Sequence, residues 1–516
     1  MKNIVNIVNF VRGIDTRVTK ESMFEITKRE YGLIERYGFH NTFLLQYDTL
    51  QDEKYVSFFK NRSSVTEIGL WLEVVESLAE AVGLKWRGRK GYPFDWHCHC
   101  GMLVGYTPEE REKLIDEAME RFRAVYGAYP KSVGSWLLDA YSLRYIADRY
   151  KADAVCICKE QWGTDGYTLW GGYFNQAYYP SVNNMLCPAQ TKEKQIDIPV
   201  FRMLGSDPID QYDIFLKNSV SDVITMEPGC KAFGGDAGGH VPEWVDWYIK
   251  ETFCGNGVSF QYTQIGQENS CFTWEHIKDG LGYQLERIAE GVKAGKLEVL
   301  TLGESGRWIK GKFAMSPVCT QTAFCDFRGG DRGSVWINTK NYRMNIYWEG
   351  NIFHIRDFYL FHENYRERYL DAVCTANDAA YDNLPVLDGL KNSTEEKRAG
   401  IFAQYRGQNI AFESYRYEER DAGARLEFVT KETGKLALEF TEDQIRVNTE
   451  KNAEDFSLCA VTAKPLIAVR KYEKKRVLLE YNGYEYALDL GMGTFGEEGR
   501  VIPEKGQISV IFRKSV

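Results

Sequence analysis

The feature that most constrains the fold of this chain is an alternation of apolar runs with amphipathic segments across residues 1–310. The run Ile4–Val11 predicts a strand, Lys20–Tyr37 a helix, and Asn41–Tyr47 the next strand. The later predicted strands are Glu67–Leu72, Val133–Leu138, Ala154–Cys158, Ile198–Leu204, Val258–Ile265 and Leu297–Leu302. Such repetition predicts an α/β fold, an irregular (β/α)7–8 barrel over residues 1–310, whose functional groups lie at the carboxyl ends of its strands.

The second part of the chain has a different pattern. After Trp308, short runs of alternating apolar and polar residues are separated by turn residues such as Asn482-Gly483. This pattern is typical of antiparallel strands. We therefore expect a C-terminal β-sandwich domain over residues 311–516, with a helical insertion or linker near residues 356–405.

Charge and cysteine usage restrict the partners and the cellular compartment that the sequence predicts. The formal net charge is −9, without the clustered positive charge that proteins need to bind nucleic acid. No apolar run is long enough to span a membrane, and the N-terminal residues resemble a strand more than a signal peptide. The 12 cysteines are scattered, as is typical of a reducing compartment. We expect a cytoplasmic protein with no nucleic-acid partner, no membrane partner and no cofactor, and homo-oligomer formation stays open.

Acidic residues recur where the predicted barrel strands end. Asp15, Asp48 and Glu73 follow the first three strands, and Asp139 and Glu160 follow the next two. Later loops add three more acids, namely Glu227, Asp236 and Glu268. Any one of them could simply cap a helix or a turn. A series of acids at successive strand ends, however, predicts a shared site at one end of the barrel.

Tryptophans accompany these acids. Trp71, Trp96, Trp136 and Trp162 each lie within three residues of a strand-end or loop carboxylate, in a chain that is 14% aromatic. Aromatic faces can pack against the C–H surfaces of sugars, while carboxylates accept hydrogen bonds from hydroxyls. Trp136 could instead belong to the core, whereas Trp96 and Trp162 lie among polar residues and glycines and are expected to be exposed. The combination predicts a carbohydrate ligand.

Several segments resemble a known superfamily. Gly13-Ile14-Asp15-Thr16-Arg17, Tyr37–Leu44 and Glu67–Trp71 are similar to the first three strands of NodB-type polysaccharide deacetylases. Gly134–Asp139 is similar to the Gly-Trp-x-x-Asp strand end of family 38 mannosidases. Over residues 3 to 160 the chain thus resembles the glycoside hydrolase/deacetylase superfamily of irregular β/α barrels, which also contains family 57 glycosidases. The resemblance implies that Asp139 is a nucleophile.

The chain departs from these families at their metal ligands. Deacetylases hold a metal with an Asp and two His, but Trp71 stands where the first of these His is expected. The nearest substitutes are His97 and His99, with Asp15 or Asp48 as a third ligand. The zinc motif of family 38 is reduced to its Asp. We therefore expect a hydrolase without a metal.

Together these features predict a glycoside hydrolase that cleaves an oligosaccharide or a small glycoside with a pair of carboxylates. Asp139 is the predicted nucleophile and Glu268 the predicted acid, with Glu227 and Asp236 as rivals for the acid. The predicted substrate-binding residues are Asp15, Asp48, Trp71, Glu73, Trp96, His97, His99, Trp136, Glu160 and Trp162. Two alternatives stay open: a metal-dependent carbohydrate deacetylase, and a non-catalytic carbohydrate-binding protein.

Overall fold

The computed structural model describes residues 1–160, 170–212, 224–229, 235–253, 255–451, 453–464, 468–496 and 499–512. The strands of the first part are β1 Lys2–Val11, β2 Asn41–Leu45, β3 Thr66–Trp71, β4 Ser132–Gly134, β5 Ala154–Ile157, β6 Pro180–Ser181, β7 Asn184–Pro188, β8 Val200–Arg202, β9 Phe260–Ile265 and β10 Glu298–Leu300. The helices are α1 Lys20–Glu35, α2 Glu53–Lys60, α3 Glu76–Ala81, α4 Cys98–Gly101, α5 Pro108–Tyr126, α6 Ala140–Tyr150, α7 Pro242–Thr252, α8 Trp274–Lys293 and α9 Leu302–Lys312.

Parallel strands form a nearly closed barrel. Their order is β10-β1-β2-β3-β4-β5-β8, and β9 pairs with the other edge of β1. The long strand β1 pairs with β10 along its first half and with β2 along its second half, which makes the barrel irregular. The predicted α/β barrel is thereby confirmed, and the ends of β1, β3, β5 and β9 open on one face.

The asparagines of β1 explain how a central strand tolerates polar residues. Asn6 donates a hydrogen bond of 2.7 Å to the carbonyl of Leu300, and Asn9 accepts one of 2.9 Å from the backbone N–H of Gln267. Both asparagines are fully buried. Buried polar groups are stable only when they are hydrogen-bonded. These two side chains thus fix the late strand and loop segments onto the first strand.

The second part consists of two antiparallel sheets that pack face to face. Its strands are β11 Cys319–Ala323, β12 Gly333–Asn338, β13 Tyr342–Glu349, β14 Ile352–Leu360, β15 Leu384–Asp388, β16 Gly400–Tyr405, β17 Gln408–Asn409, β18 Phe412–Arg420, β19 Gly423–Thr430, β20 Gly434–Thr441, β21 Gln444–Thr449, β22 Phe456–Val461, β23 Ala468–Tyr472, β24 Arg476–Tyr481, β25 Tyr484–Met492, β26 Thr494–Phe495, β27 Arg500–Ile502 and β28 Gln507–Ile511. One sheet runs β11-β12-β13-β14-β16-β22-β27-β26, and the other runs β18-β19-β20-β21-β28-β25-β24-β23. Buried aliphatic and aromatic side chains from both sheets fill the space between them, as the alternating pattern predicts.

The segment near residues 356–405, predicted to be a helical insertion or linker, contains no α-helix. It begins inside β14 and ends in β16, and between β14 and β15 it contains only a short 3-10 turn, Arg368–Leu370. Residues 361–383, which we call the strap, lie across the barrel loops instead. The backbone of Cys98 donates to the carbonyl of Asn377, and that of Cys374 donates to the carbonyl of Val104. The backbone of the strap makes these tertiary hydrogen bonds in place of those within a helix.

Within the ranges described above, no helix combines the length and the apolar character needed to cross a bilayer.

Candidate active site

A buried arginine lies at the centre of the barrel's carboxyl end. Arg12 directly follows β1, and its side chain is 2% exposed. Its guanidinium donates to both oxygens of Glu73, at 3.0 Å from Nε and 2.6 Å from Nη2. Nη1 donates to Oε2 of Glu268 at 2.5 Å and lies 3.5 Å from Oδ2 of Asp15. We refer to Arg12, Asp15, Glu73 and Glu268 as the Arg12 cluster.

Neighbouring side chains hold this cluster in one geometry. Glu73 also accepts hydrogen bonds from Gln46 Nε2 at 3.0 Å and from the indole N–H of Trp136 at 2.8 Å. Asn269 accepts from the backbone N–H of Arg12 at 2.8 Å and donates to its carbonyl at 3.0 Å. Because strands β1 to β4 and the loop after β9 all contribute, the barrel itself positions the charges.

Asp15 links the cluster to the surface. It accepts two hydrogen bonds from Arg17, at 2.9 Å from Nε and 2.6 Å from Nη2, and the side chain of Arg17 is 40% exposed. Burial opposes ionisation of Asp15, but the hydrogen bonds from Arg17 and the charge of Arg12 outweigh it and lower the pKa of Asp15. Asp15 is therefore a charged group that orients the two arginines.

The pKa of Glu268 is shifted in the opposite direction from that of Asp15. Its carboxyl is buried, and burial raises its pKa above the ordinary value even though the charges of Arg12 and Arg17 pull it down. Ser270 Oγ lies 3.4 Å from Oε2 of Glu268 and also accepts from Arg12 at 2.7 Å. A carboxyl with a raised pKa at a strand end is a good candidate for a group that exchanges a proton with a substrate.

A second carboxylate lies next to Glu268. Gln267 Nε2 donates to Oε1 of Glu227 at 3.1 Å, while Gln267 Oε1 accepts from the backbone N–H of Glu268 at 2.9 Å. Lys159, two residues beyond β5, places its ammonium 3.8 Å from Oε2 of Glu227. The Glu227 side chain is 12% exposed, so solvent reaches it. One glutamine thus connects two acids from different loops.

The four tryptophans predicted to bind sugar have different surroundings. Trp136 is half-buried and lies over the core pair of Phe10 and Trp71, edge-on to both rings. Trp71 is 1% exposed and stacks on Phe10 at 4.2 Å, so it is a core residue and not a substrate platform. Trp96 has the guanidinium groups of Arg89 and Arg17 at 4.4 Å and 5.2 Å from its ring. Trp162 lies outside the described residues.

Asp139 is not part of the Arg12 cluster. It is fully buried and caps α6, accepting from the backbone N–H of Ser142 at 2.8 Å, and it pairs with Arg111 at 3.0 Å. Glu367 of the strap accepts from the adjacent backbone N–H of Ala140 at 2.8 Å. These bonds give Asp139 a structural position, which corrects the expectation that its carboxylate is available to a substrate.

The remaining predicted acids also lie elsewhere. Glu160 is buried between Arg202 and Arg343, at 3.1 Å from each. Asp236 is a surface residue, with its side chain 95% exposed and 3.8 Å from Arg328. Asp48 accepts a hydrogen bond from Ser77 at 3.1 Å and, in the described part of the chain, makes no hydrogen bond or ion pair with Arg12. Of the predicted site residues, the structure therefore brings together Asp15, Glu73, Trp136, Glu227 and Glu268.

The residues present do not fit the metal that the deacetylase resemblance implies. Nδ1 of His97 faces Asp95 at 2.8 Å, and Asp95 is itself paired with Arg89 at 2.9 Å. The ring of His99, in the short helix α4, lies 6.0 Å from that of His97. In the part of the chain that the structure describes, no group of three or more His, Cys, Asp or Glu is arranged to hold a metal ion. The positive charge among the acids is that of Arg12.

Sequence reasoning missed the cationic half of the site. Arg12 and Lys159 follow β1 and β5 in the same segments as the predicted acids, and Gln46 and Gln267 follow β2 and β9. The rule that residues just past a barrel strand are functional applies to cations and amides as well as to acids. Applied to every polar type, the rule includes these four residues.

Comparison with known proteins bears on the fold. No protein-family model and no curated sequence matches the chain. A structure from Parabacteroides distasonis, a candidate glycoside hydrolase/deacetylase, is similar with a TM-score of 0.52 at 15% identity, covering 77% of this chain and 89% of that one. The chain shares the fold of that structure.

The likeness extends well beyond residues 3 to 160, and the predicted resemblance is confirmed at the level of the fold. More distant structures include a candidate polysaccharide deacetylase from Mycobacterium smegmatis, with 12% identity and a TM-score of 0.36 over 60% of this chain and 91% of that one. A GH57 branching enzyme from Thermococcus kodakaraensis has 10% identity and a TM-score of 0.31 over 60% of this chain and 71% of that one. In this irregular β/α barrel, the Arg12 cluster occupies the end of the barrel that usually carries function.

Proposed function

We propose that the protein is a carbohydrate-acting hydrolase that cleaves glycosidic bonds, with Glu268 as general acid and Glu227 as the second carboxylate. One observation carries this proposal: at the carboxyl end of the barrel, the side chain of Gln267 hydrogen-bonds the carboxylate of Glu227 and the backbone N–H of Glu268, which ties two glutamate-bearing loops together. Glycosidases need two carboxyl groups that flank the scissile bond, and both must be held rigidly. Asp139, the nucleophile implied by resemblance, is replaced in this proposal by Glu227.

The surroundings of the two glutamates support different roles. Burial raises the pKa of Glu268, so this carboxyl keeps a proton to higher pH than an exposed glutamate does. That proton can pass to the oxygen of the departing sugar or aglycone. Glu227 is more exposed and has the positive charge of Lys159 at 3.8 Å, which suits a group that acts as a carboxylate. It would act on the anomeric carbon directly or through a water molecule.

The half-buried indole of Trp136 gives the site an aromatic surface beside these acids. Its indole N–H donates a hydrogen bond of 2.8 Å to Glu73, which fixes the orientation of the ring. A fixed aromatic face can pack against the C–H face of a sugar without a further loss of side-chain entropy. The arrangement therefore supports a sugar as the ligand.

The test is a comparison of Glu268→Gln, Glu227→Gln and the control Asp236→Asn on a panel of oligosaccharides and aryl glycosides. We expect each glutamate variant to lose about 10²–10⁴-fold in kcat, because each removes one half of the acid–base pair. Asp236 is a surface charge, so Asp236→Asn retains full activity. Glu268→Gln should lose least on aryl glycosides with an acidic leaving group, which needs no proton.

Other products would favour the alternatives. Release of acetate from acetylated sugars, with inhibition by a chelator, would favour a metal-dependent deacetylase. Saturable sugar binding without any product would favour a non-catalytic carbohydrate-binding protein. Full glycosidase activity in a folded Glu268→Gln variant would overturn the assignment of the acid.

A further inference from the structure

We propose that Arg17, Arg89 and Trp96 form a subsite for a negatively charged group of the substrate, and that the protein therefore acts on an acidic saccharide. The group is a carboxylate, as in a uronic acid, or a sulfate ester. This inference rests on the proposed function for the carbohydrate nature of the ligand. We refer to these three residues as the arginine rim.

The arginine rim belongs to two loops that follow barrel strands. Arg17 lies between β1 and α1, and Arg89 and Trp96 lie in the connection from β3 to α5. Because β1 and β3 both pair in parallel with β2, these loops leave the barrel at the same end. Asp15 joins the rim to the Arg12 cluster, since it accepts two hydrogen bonds from Arg17 and lies 3.5 Å from Nη1 of Arg12. The rim therefore borders the candidate active site.

Guanidinium groups and aromatic rings alternate from the Arg12 cluster outward. The Cζ atom of Arg12 lies 4.5 Å from the ring centre of Phe94, and that of Arg17 lies 6.0 Å from the same ring. The Cζ atoms of Arg17 and Arg89 lie 5.2 Å and 4.4 Å from the ring centre of Trp96. Contact with an aromatic face stabilises a guanidinium in a defined position. This row connects the buried cluster with the partly exposed rim.

Buried aspartates hold both arginines of the rim from one side. Nε and Nη2 of Arg17 donate to Asp15 at 2.9 Å and 2.6 Å. Nε and Nη2 of Arg89 donate to Asp95 at 2.9 Å and 3.1 Å. Both aspartate side chains are fully buried, whereas the arginine side chains are 40% and 41% exposed. Each pair is formally neutral, but its positive end is the part that reaches solvent, and the fixed geometry lowers the entropy cost of binding an anion there.

The nitrogen atoms that remain available on the rim are hydrogen-bond donors only. Within the described residues, Nη1 of Arg17, Nη1 of Arg89 and Nε1 of Trp96 make no hydrogen bond. Guanidinium and indole nitrogens carry hydrogens and cannot accept, whereas a sugar hydroxyl needs an acceptor as well as a donor. A carboxylate or a sulfate only accepts, and its hydrogen bonds with a guanidinium are about twice as strong as those between neutral groups. The donor set therefore favours an anionic group over a hydroxyl.

The experiment measures the affinity of the wild type for matched acidic and neutral ligands by isothermal titration calorimetry. The probes are oligogalacturonides and hyaluronan oligosaccharides with their carboxyl-reduced forms, and carrageenan oligosaccharides with their desulfated forms. We expect an acidic member to bind roughly tenfold or more tightly than its neutral counterpart, because the neutral form loses the charge-assisted hydrogen bonds to the rim. The pair that shows the preference identifies the group as carboxylate or sulfate. The preference should decrease as NaCl is raised, since the rim is partly exposed.

Variants of the rim test which residues cause the preference. Arg17→Gln and Arg89→Gln should each weaken binding of the acidic ligand roughly tenfold and change that of the neutral form by less than about twofold. Arg406→Gln is the matched control, because Arg406 is likewise paired with Asp455 and lies 5.2 Å from the ring of Tyr405, in the turn after β16. It should bind every ligand as the wild type does. If Arg17→Gln does not fold, Arg89→Gln and the ligand pairs decide the outcome.

Equal affinity of the wild type for acidic and neutral members, or binding of no acidic member, would overturn the proposal. A folded Arg89→Gln variant that keeps the full preference for the acidic form would overturn it as well. Product analysis of the same mixtures tests the proposed function separately. Preferred binding of acidic saccharides without cleavage of any would contradict the proposed function and leave the subsite intact. Cleavage of neutral saccharides with no preference for acidic ones would contradict the subsite alone.

Discussion

Two buried arginines in this protein hold carboxylates in very different surroundings. Arg12 lies at the open end of the barrel, and Arg343 lies at the junction of the barrel with the antiparallel sheets. Arg343 makes two 3.1 Å contacts with Asp357 and one with Glu160, and Glu160 also contacts Arg202. We refer to these four residues as the Arg343 network.

The Arg12 cluster and the Arg343 network differ in their access to solvent. The rings of Trp170, Trp336 and Tyr359 lie 5.0–5.6 Å from the Arg343 guanidinium, and the carboxylates around it are fully buried. The Arg12 cluster continues instead to Arg17, which is 40% exposed, and it lies near Glu227, which is 12% exposed. An arginine–carboxylate cluster that a ligand can reach is a candidate for function, whereas a sealed one joins two parts of the fold.

The largest expected effect in this comparison is on stability. Arg343→Met should lower the free energy of unfolding by about 3–5 kcal/mol, because it leaves buried carboxylates without their partner. KM should stay unchanged, since none of the four residues of the Arg343 network belongs to the Arg12 cluster. Chemical denaturation and steady-state kinetics measure the two quantities. Arg366→Met is the control, because the pair of Arg366 with Asp371 is exposed and should contribute at most about 1 kcal/mol.

A rise in KM without a loss of unfolding free energy in Arg343→Met would contradict the structural role of the Arg343 network.

The second expected effect is on the pH dependence of stability. Burial raises the pKa of Glu160 to about 7, although Arg202 and Arg343 favour its charged form. A raised pKa in the folded state means that the stabilising contribution is present at low pH and is lost as the pH rises through about 7. Glu160→Gln should therefore make the loss of unfolding free energy between about pH 5 and pH 8 smaller by about 2 kcal/mol.

Denaturation curves at several pH values measure this slope. Asp15→Asn is the contrasting variant, since the pKa of Asp15 is lowered and its contribution is lost as the pH falls. An unchanged slope in Glu160→Gln would show that Glu160 does not titrate in this range.

The smallest expected effect concerns the aromatic face. Trp136→Phe should raise KM by about fivefold, since a smaller ring and a lost hydrogen bond to Glu73 cost about 1 kcal/mol of substrate binding. Trp71→Phe is the matched control, because Trp71 is buried beneath Trp136. It should lower stability by about 1–2 kcal/mol and leave KM nearly unchanged. An equal rise in KM for both variants would argue against Trp136 as the contact surface.

Much of the fold could be predicted from local patterns. The apolar run that became β1 and the capping box of Thr107 and Glu110 at the start of α5 are visible in short stretches of sequence, and both are present in the structure. The strap could not be predicted in this way. Its acids, such as Glu367, accept hydrogen bonds from backbone groups of Ala140 and Met185, about two hundred residues earlier.

Part of the candidate site could also be predicted from local patterns. Asp15, Glu73 and Glu268 were found because residues just past parallel strands converge at one end of a barrel. Asp139 satisfies the same rule but caps α6. A capping acid and a catalytic acid can share one local sequence, and Arg111 from α5 together with the strap decides between them here.

The sequence by itself determined where strands and helices form and which polar residues follow the strands, because these depend on hydrophobic periodicity and on local hydrogen bonding. The tertiary structure alone decided which of those residues are exposed to solvent and which are paired with a buried charge. Ion pairing and loss of hydration depend on groups from distant parts of the chain. Glu268 and Glu160 are both buried glutamates that follow barrel strands, yet Glu268 belongs to a cluster that continues to the exposed Arg17, whereas Glu160 lies in a network of buried charges.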